Sequence, residues 1–129
     1  MPSVVAFAVV AAPFDVSDPE IMVACLCAGW CGVCRDYASV FAQVQVQHPD
    51  MRFVWVDIED RADLVDPVEV EWFPTLLISK AAQPRFFGPL PPQAATLESI
   101  LRERSEIADP ALAQRADLID LVARIRAGR

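Results

Sequence analysis

No apolar run in the chain is long enough to cross a bilayer: the longest, residues 4–14, falls well short of the roughly 20 residues a spanning helix needs. Positive charge is also scarce. Eleven basic residues stand against 18 acidic ones, a formal net charge of −7, which repels phosphate backbones and anionic lipid heads. Nucleic acid and membrane surfaces are therefore excluded as expected partners. His48 is the only histidine, so imidazole chemistry has little to draw on, and its place at a predicted helix end makes it a surface cap. No cysteine lies outside the ten-residue window that holds Cys25, Cys27, Cys31 and Cys34, which argues against a disulfide framework stapling distant loops. No Lys or Arg precedes residues 4–14 and no small-x-small cleavage site follows them, so a buried first strand is favoured over a secretory leader. There is no internal repeat, low-complexity linker or shift in composition, and 129 residues suffice for one domain with its own core.

What is present reads as alternating strands and helices. Residues 4–10 are β-branched and apolar enough for a strand, with Pro13, Asp15, Ser17, Asp18 and Pro19 breaking the chain after it. Residues 21–27 form a second, fully buried strand. From 32 to 48, Val33, Tyr37, Val40, Phe41 and Val44 recur at three and four positions, which predicts a helix with one apolar stripe. A strand follows over 53–58, then at most two helical turns over 60–66. Strands over 75–79 and 85–87, joined by a turn at 80–84, are expected to pair as a hairpin. Leu97, Ile100, Leu101, Arg104 and Ile107 mark a helix after Pro91-Pro92. Asp109-Pro110 supplies an N-cap and a first-turn proline for a final helix over 111–127, striped by Leu118, Leu121, Val122 and Ile125.

The stretch Ala28-Gly29-Trp30-Cys31-Gly32-Val33-Cys34 falls where a buried strand runs into a helix. At a helix N-terminus unpaired amides and the helix dipole favour a thiolate, which makes Cys31 the candidate nucleophile. Cys34, one turn on and deeper, is the candidate resolving thiol. Two other uses stay open. All four thiols, spaced Cys-x-Cys-x3-Cys-x2-Cys, are a potential zinc or iron-sulfur set, although Cys25 and Cys27 alternate along a strand rather than sitting on a turn-borne knuckle. Cys25 and Cys27 are otherwise simply small core hydrophobes.

Trp30-Cys31-Gly32-Val33-Cys34, Val56-Asp57-Ile58-Glu59, Phe73-Pro74-Thr75 and the later Gly88 occur in an order and spacing that resembles a thioredoxin, over roughly residues 21–107. The resemblance implies an α/β, three-layer thioredoxin-like fold, a central mixed β-sheet flanked by helices, to which the final helix, beyond the span of the resemblance, is an additional C-terminal helix. The domain would occupy residues 1–109, its first 20 a divergent N-terminal strand and loop, with a helical extension over 110–129. It implies a cis bond before Pro74, and a shallow groove of Trp30, Phe73, Pro74 and Gly88 suited to an extended, disulfide-bearing segment of protein. It also implies thiol-disulfide exchange on protein disulfides by Cys31 and Cys34, contributing to cell redox homeostasis. No organic cofactor or metal would be needed, electrons would come from a thioredoxin-reductase-like partner or a small-thiol pool, and the location would be cytoplasmic ahead of secreted or periplasmic.

Three positions depart from the family pattern. Val33 stands where a proline is usual, which implies a less reducing pair. Cys25 stands in place of a buried aspartate, and Trp55 in place of the lysine that partners it. Losing both charges together is physically coherent, because either one alone would be buried without compensation. Catalysis would still be weakened, since no carboxylate remains beneath Cys34 to take its proton. Cys25, at the position facing the resolving thiol, would be the residue able to compete for Cys34. Trp72, where glycine is common, either caps the groove or simply packs. The acidic pairs Glu59-Asp60, Asp63-Asp66 and Glu69-Glu71 are expected to be solvated. The last helix either packs back on the domain or docks a partner or second copy, giving a homodimer. The competing function is a non-catalytic module that holds a client through the cis-proline groove and this helix.

Overall fold

A short apolar run with no polar alternation suits a strand covered on both faces, and residues Ile21–Cys27 are buried along their whole length as strand β1. The computed structural model describes residues 20–66, 68–105 and 107–127, so the strand expected over residues 4–10 lies outside the described residues. After β1 come α1 (Gly32–Gln47), β2 (Arg52–Asp57), α2 (Ala62–Val65), β3 (Thr75–Lys80), β4 (Gln83–Pro89), α3 (Ala94–Arg104), α4 (Pro110–Ala113) and α5 (Ala116–Arg126). The strands form one mixed sheet in the order β2-β1-β3-β4. β1 runs parallel to β2, the two joined by α1 as a parallel pair requires, and antiparallel to β3.

Pleating divides β1 between two cores. Ile21, Val23, Cys25 and Cys27 face α1 and α3, where they meet Tyr37, Phe41, Leu97 and Leu101. Met22, Ala24 and Leu26 face the opposite way, against Leu118, Leu121, Val122 and Ile125 of α5 and Leu64 and Val65 of α2. The C-terminal helix therefore packs back on its own sheet. Of the two uses open to its apolar stripe, packing back on the domain or docking a partner or second copy, the structure has the first, with Leu118, Leu121 and Val122 fully inaccessible.

Several expected boundaries move for identifiable reasons. The buried stripe of α1 is Cys34, Tyr37, Phe41 and Val44, while Val33 is 44 % exposed. Positions 33 and 34 are equally well spaced from Tyr37, and the sheet end beneath the first turn selects Cys34. α3 stops at Arg104, after which the Ser105 hydroxyl donates to the Leu101 carbonyl at 2.6 Å, and Ile107 is left 60 % exposed. The final helix is broken into two. Asp109 caps α4 by accepting from the amides of Ala111 and Leu112, with Pro110 at its start, and a turn at Gln114-Arg115 re-aims the chain into α5.

The β3–β4 hairpin turns more tightly than expected, through Ala81 and Ala82 alone, with Ala81 in the left-handed region at φ 53°. Arg126 of α5 donates to the carbonyls of Ala81 and Glu20, tying the helix end to this turn. Pro84 pairs with Ser79 beside an irregularity in the β3–β4 register, where a residue without an N–H is tolerated.

Candidate active site

β1 ends at Cys27 and the chain turns through Ala28, Gly29 and Trp30, closed by the Cys31 amide donating to the Ala28 carbonyl at 3.0 Å. Cys31 is the N-cap residue of α1, extended at φ −86° and ψ 120°, with its side chain half-buried against the α1–α3 core. Its carbonyl accepts from the Arg35 amide at 3.2 Å, and the Arg35 guanidinium donates back to the Gly29 carbonyl at 3.0 Å, which fixes the turn to the first helical turn.

The turn is also held from the side. Trp30 is 63 % exposed, yet its indole N–H donates to Glu59 Oε2 at 3.0 Å and its ring meets Phe73 edge-on, centroids 5.6 Å apart. Asp57, at the end of β2, accepts from the amides of Glu59 and Asp60. A Cβ at Gly29 would come within 3.1 Å of Asp57 Oδ2, so the loop passes too close to this carboxylate for a larger residue to fit without a shift. Glu59 was expected to be merely solvated. It is exposed, and it also orients the exposed tryptophan, a contact across 29 positions that nothing local in the sequence signals.

Phe73-Pro74 is a cis bond, as expected. Pro74 itself is buried, so it lies under the surface rather than on a groove rim. Gly88 pairs opposite Leu76 and lines a depression of about 190 Å³ with Trp72, Thr75 and Phe87. Of the expected groove residues, Trp30 and Phe73 touch each other, and Gly88 shares its depression with Trp72, which is 66 % exposed.

The sulfur atoms are arranged differently from the expectation. Cys34 is in a disulfide with Cys27, their Cα atoms 5.8 Å apart, and Cys31 and Cys25 carry free thiols. Cys27, read from sequence as a core hydrophobe, is covalently engaged, and the cysteine that has captured Cys34 is not Cys25. Both residues lie on the same face of β1, and the Cys25 sulfur is 3.5 Å from that of Cys27. Two of the four thiols that a metal set would need are spent on one another.

Burial pushes the Cys25 thiol strongly up, so it stays protonated. Burial, and secondarily the neighbouring Cys25, also raises the Tyr37 hydroxyl. Cys25 and Trp55 sit directly opposite in the β1–β2 register, so the two positions that depart from the family's ionic pair are neighbours, and the Trp55 ring contacts Phe41 at 5.7 Å. His48 pairs with Glu98 at 2.6 Å, linking the end of α1 to α3, far from the cysteines in the fold's plan.

Comparison with known proteins is consistent over most of the chain. The family model described as Thioredoxin matches residues 9–102. Thioredoxin H4-2 of Oryza sativa subsp. japonica is 32 % identical over 63 residues, 49 % of this chain and 48 % of that protein. Thioredoxin H9 of Arabidopsis thaliana is 30 % identical over 66 residues, 51 % of this chain and 47 % of that one. The matched stretch spans about half the length of these relatives. Among solved structures, oxidised mitochondrial thioredoxin 3 from Saccharomyces cerevisiae superposes with a TM-score of 0.59 at 25 % identity, covering 66 % of this chain and 79 % of that one.

Proposed function

The chain belongs to the thioredoxin family, and from that premise we propose that Cys31 and Cys34 are its exchange pair, acting on disulfides of protein clients. Family and fold support a thiol-disulfide oxidoreductase in general. The observation that carries the finer reading is the setting of Cys31: a half-exposed free thiol at the N-cap of α1, beside an exposed tryptophan, one turn from a buried cysteine.

In the reductive direction the Cys31 thiolate attacks one sulfur of a client disulfide, forming a mixed disulfide and releasing the first client thiolate. Cys34 then attacks the Cys31 sulfur, the second client thiolate leaves, and the pair is oxidised as the client gains two electrons. A reductase of the thioredoxin-reductase type or a small-thiol pool restores the dithiol. Resolution is slowed in this chain, because the residue in the aspartate position, Cys25, is held protonated by burial and is a poor acceptor for the Cys34 proton. Trp30, Phe73 and Gly88 would frame the client, with Pro74 beneath them and Val33 and Trp55 modulating the pair.

Residues 1–109 would form the exchange unit and 110–129 its extension. A cytoplasmic role in redox homeostasis fits this chemistry. Among the described residues no helix is long and apolar enough to cross a membrane.

The test is reduction of insulin by dithiothreitol. Wild-type protein should accelerate it and Cys31→Ser should not. If both are inert while Cys31→Ser still retains a client on a column, the chain is a binding module, a role favoured by the exposed Trp30 and Trp72.

A further inference from the structure

We propose that Cys27 is a second, buried disulfide partner of Cys34, so that Cys34 alternates between a bond to Cys27 and a bond to Cys31. This rests on Cys31 and Cys34 being the exchange pair. The Cys27–Cys34 Cα separation of 5.8 Å lies inside the range a disulfide tolerates, and Cys31, three positions before Cys34, packs against the same core cluster as Cys25, Cys27 and Cys34.

Interconversion needs no outside oxidant. The Cys31 thiolate attacks the Cys34 sulfur, a Cys31–Cys34 bond forms, the Cys27–Cys34 bond breaks, and the electron pair leaves on the Cys27 sulfur. Cys27 then takes up a proton, balancing the one Cys31 gave up, and the number of disulfides is unchanged.

Cys25 is placed to assist this step. Its sulfur is 3.5 Å from that of Cys27, and a disulfide-bonded Cys27 has no proton, so Cys25 is the donor of that contact. As Cys27 leaves, the same S–H faces the developing thiolate in a core where no water competes. Burial that keeps Cys25 protonated keeps this donor in place.

The two states differ in what Cys31 can do. With Cys34 bonded to Cys27, Cys31 is a free thiol that can enter a mixed disulfide with a client, but the thiol that would resolve it is withheld. Reduction of the Cys27–Cys34 bond by the small-thiol pool or reductase that recharges the exchange pair, which gives up two electrons and is itself oxidised to a disulfide, frees the Cys34 thiol, and the client is then turned over. Cys27 thus governs whether a client is held or reduced.

The sequence makes the two bonds separable. Cleavage by chymotrypsin after Leu26, Trp30 and Tyr37 gives segments 27–30 and 31–37. A Cys27–Cys34 bond joins these segments, whereas a Cys31–Cys34 bond lies inside the second. Full-length wild-type protein is oxidised with diamide, quenched in acid, alkylated with N-ethylmaleimide under denaturing conditions, cleaved and mapped by mass spectrometry. The expected products are 27–30 joined to 31–37 with Cys31 alkylated, alongside 31–37 with an internal bond. In Cys31→Ser the joined species should become the whole of the oxidised protein.

If 27–30 is recovered only in alkylated form while 31–37 carries its internal bond, Cys27 is no partner and the exchange pair stands. If neither bond forms, both readings fall. An unchanged proportion of joined species in Cys31→Ser means that the two bonds do not compete, which also overturns the proposal.

Discussion

On one side of the sheet β1 presents Cys25 and Cys27 to a helix that carries Cys34 and Tyr37; on the other, one residue away each time, it presents Ala24 and Leu26 to a helix whose buried face carries only Leu, Val and Ile. The α5 face is sealed by shape and hydrophobicity. The α1 face contains a disulfide, two free thiols and a buried tyrosine hydroxyl with no hydrogen-bond partner among the described residues, so its interior has chemistry as well as volume. Apolar burial there is shared with groups that are reactive or polar, and each contributes less to stability than a leucine of the opposite face. The α5 face supports the fold, and the α1 face bears the chemistry.

That division can be broken in order of size. Cys31→Ser should abolish turnover in the insulin assay while leaving the unfolding midpoint near wild type, because the residue is only half-buried; a large loss of stability would show that the α1 face is structural after all. Leu121→Ala, at a fully buried site of α5, should cost about 2–5 kcal/mol in denaturant unfolding. Little loss there would mean that α5 does not seal the sheet.

Reducing the Cys27–Cys34 bond, measured in Cys31→Ser so that no other partner competes, should cost about 2–3 kcal/mol by the loop-entropy relation for so short a separation. Cys25→Ala removes one buried sulfur and should cost about 1 kcal/mol. A cost equal to that of Leu121→Ala would erase the contrast between the faces.

The smallest effect belongs to the surface of α5. Arg115 grips Asp117 with two N–H donors at 2.9 and 2.7 Å, and this hydrogen bonding, first among its causes, holds the Asp117 carboxyl below its ordinary value. A carboxylate lowered in the folded state adds stability above its unfolded value and loses it as pH falls through the folded one. Asp117→Asn should therefore cost at most about 1 kcal/mol at neutral pH, because the pair is largely solvated. The difference from wild type should fade in acid and in high salt, and urea midpoints across that pH range would show it.

Much of this was legible from residue pattern. The span of β1, the extent of α1 and the Asp109-Pro110 cap follow from burial periodicity and helix-end chemistry, which are local. The hairpin was legible too, but not its two-residue turn, since Ala81 adopts a left-handed conformation that alanine does not advertise. Trp30 and Cys31 were conspicuous from the motif. Glu59 was not, because its role exists only where the end of β2 lies beside the turn after β1.

The amino-acid order by itself determined that the cysteines cluster at a strand-to-helix junction and that β1 is buried on both faces, since an unbroken apolar run followed by a three-to-four-residue repeat is written along the chain. Which sulfur meets which was decided only by tertiary structure. Cys25 and Cys27 share a face and differ by one pleat repeat, and the placement of α1 across the end of the sheet gives Cys34 to Cys27, leaves Cys25 beneath them as a protonated neighbour, and keeps Cys31 partly exposed at the helix end.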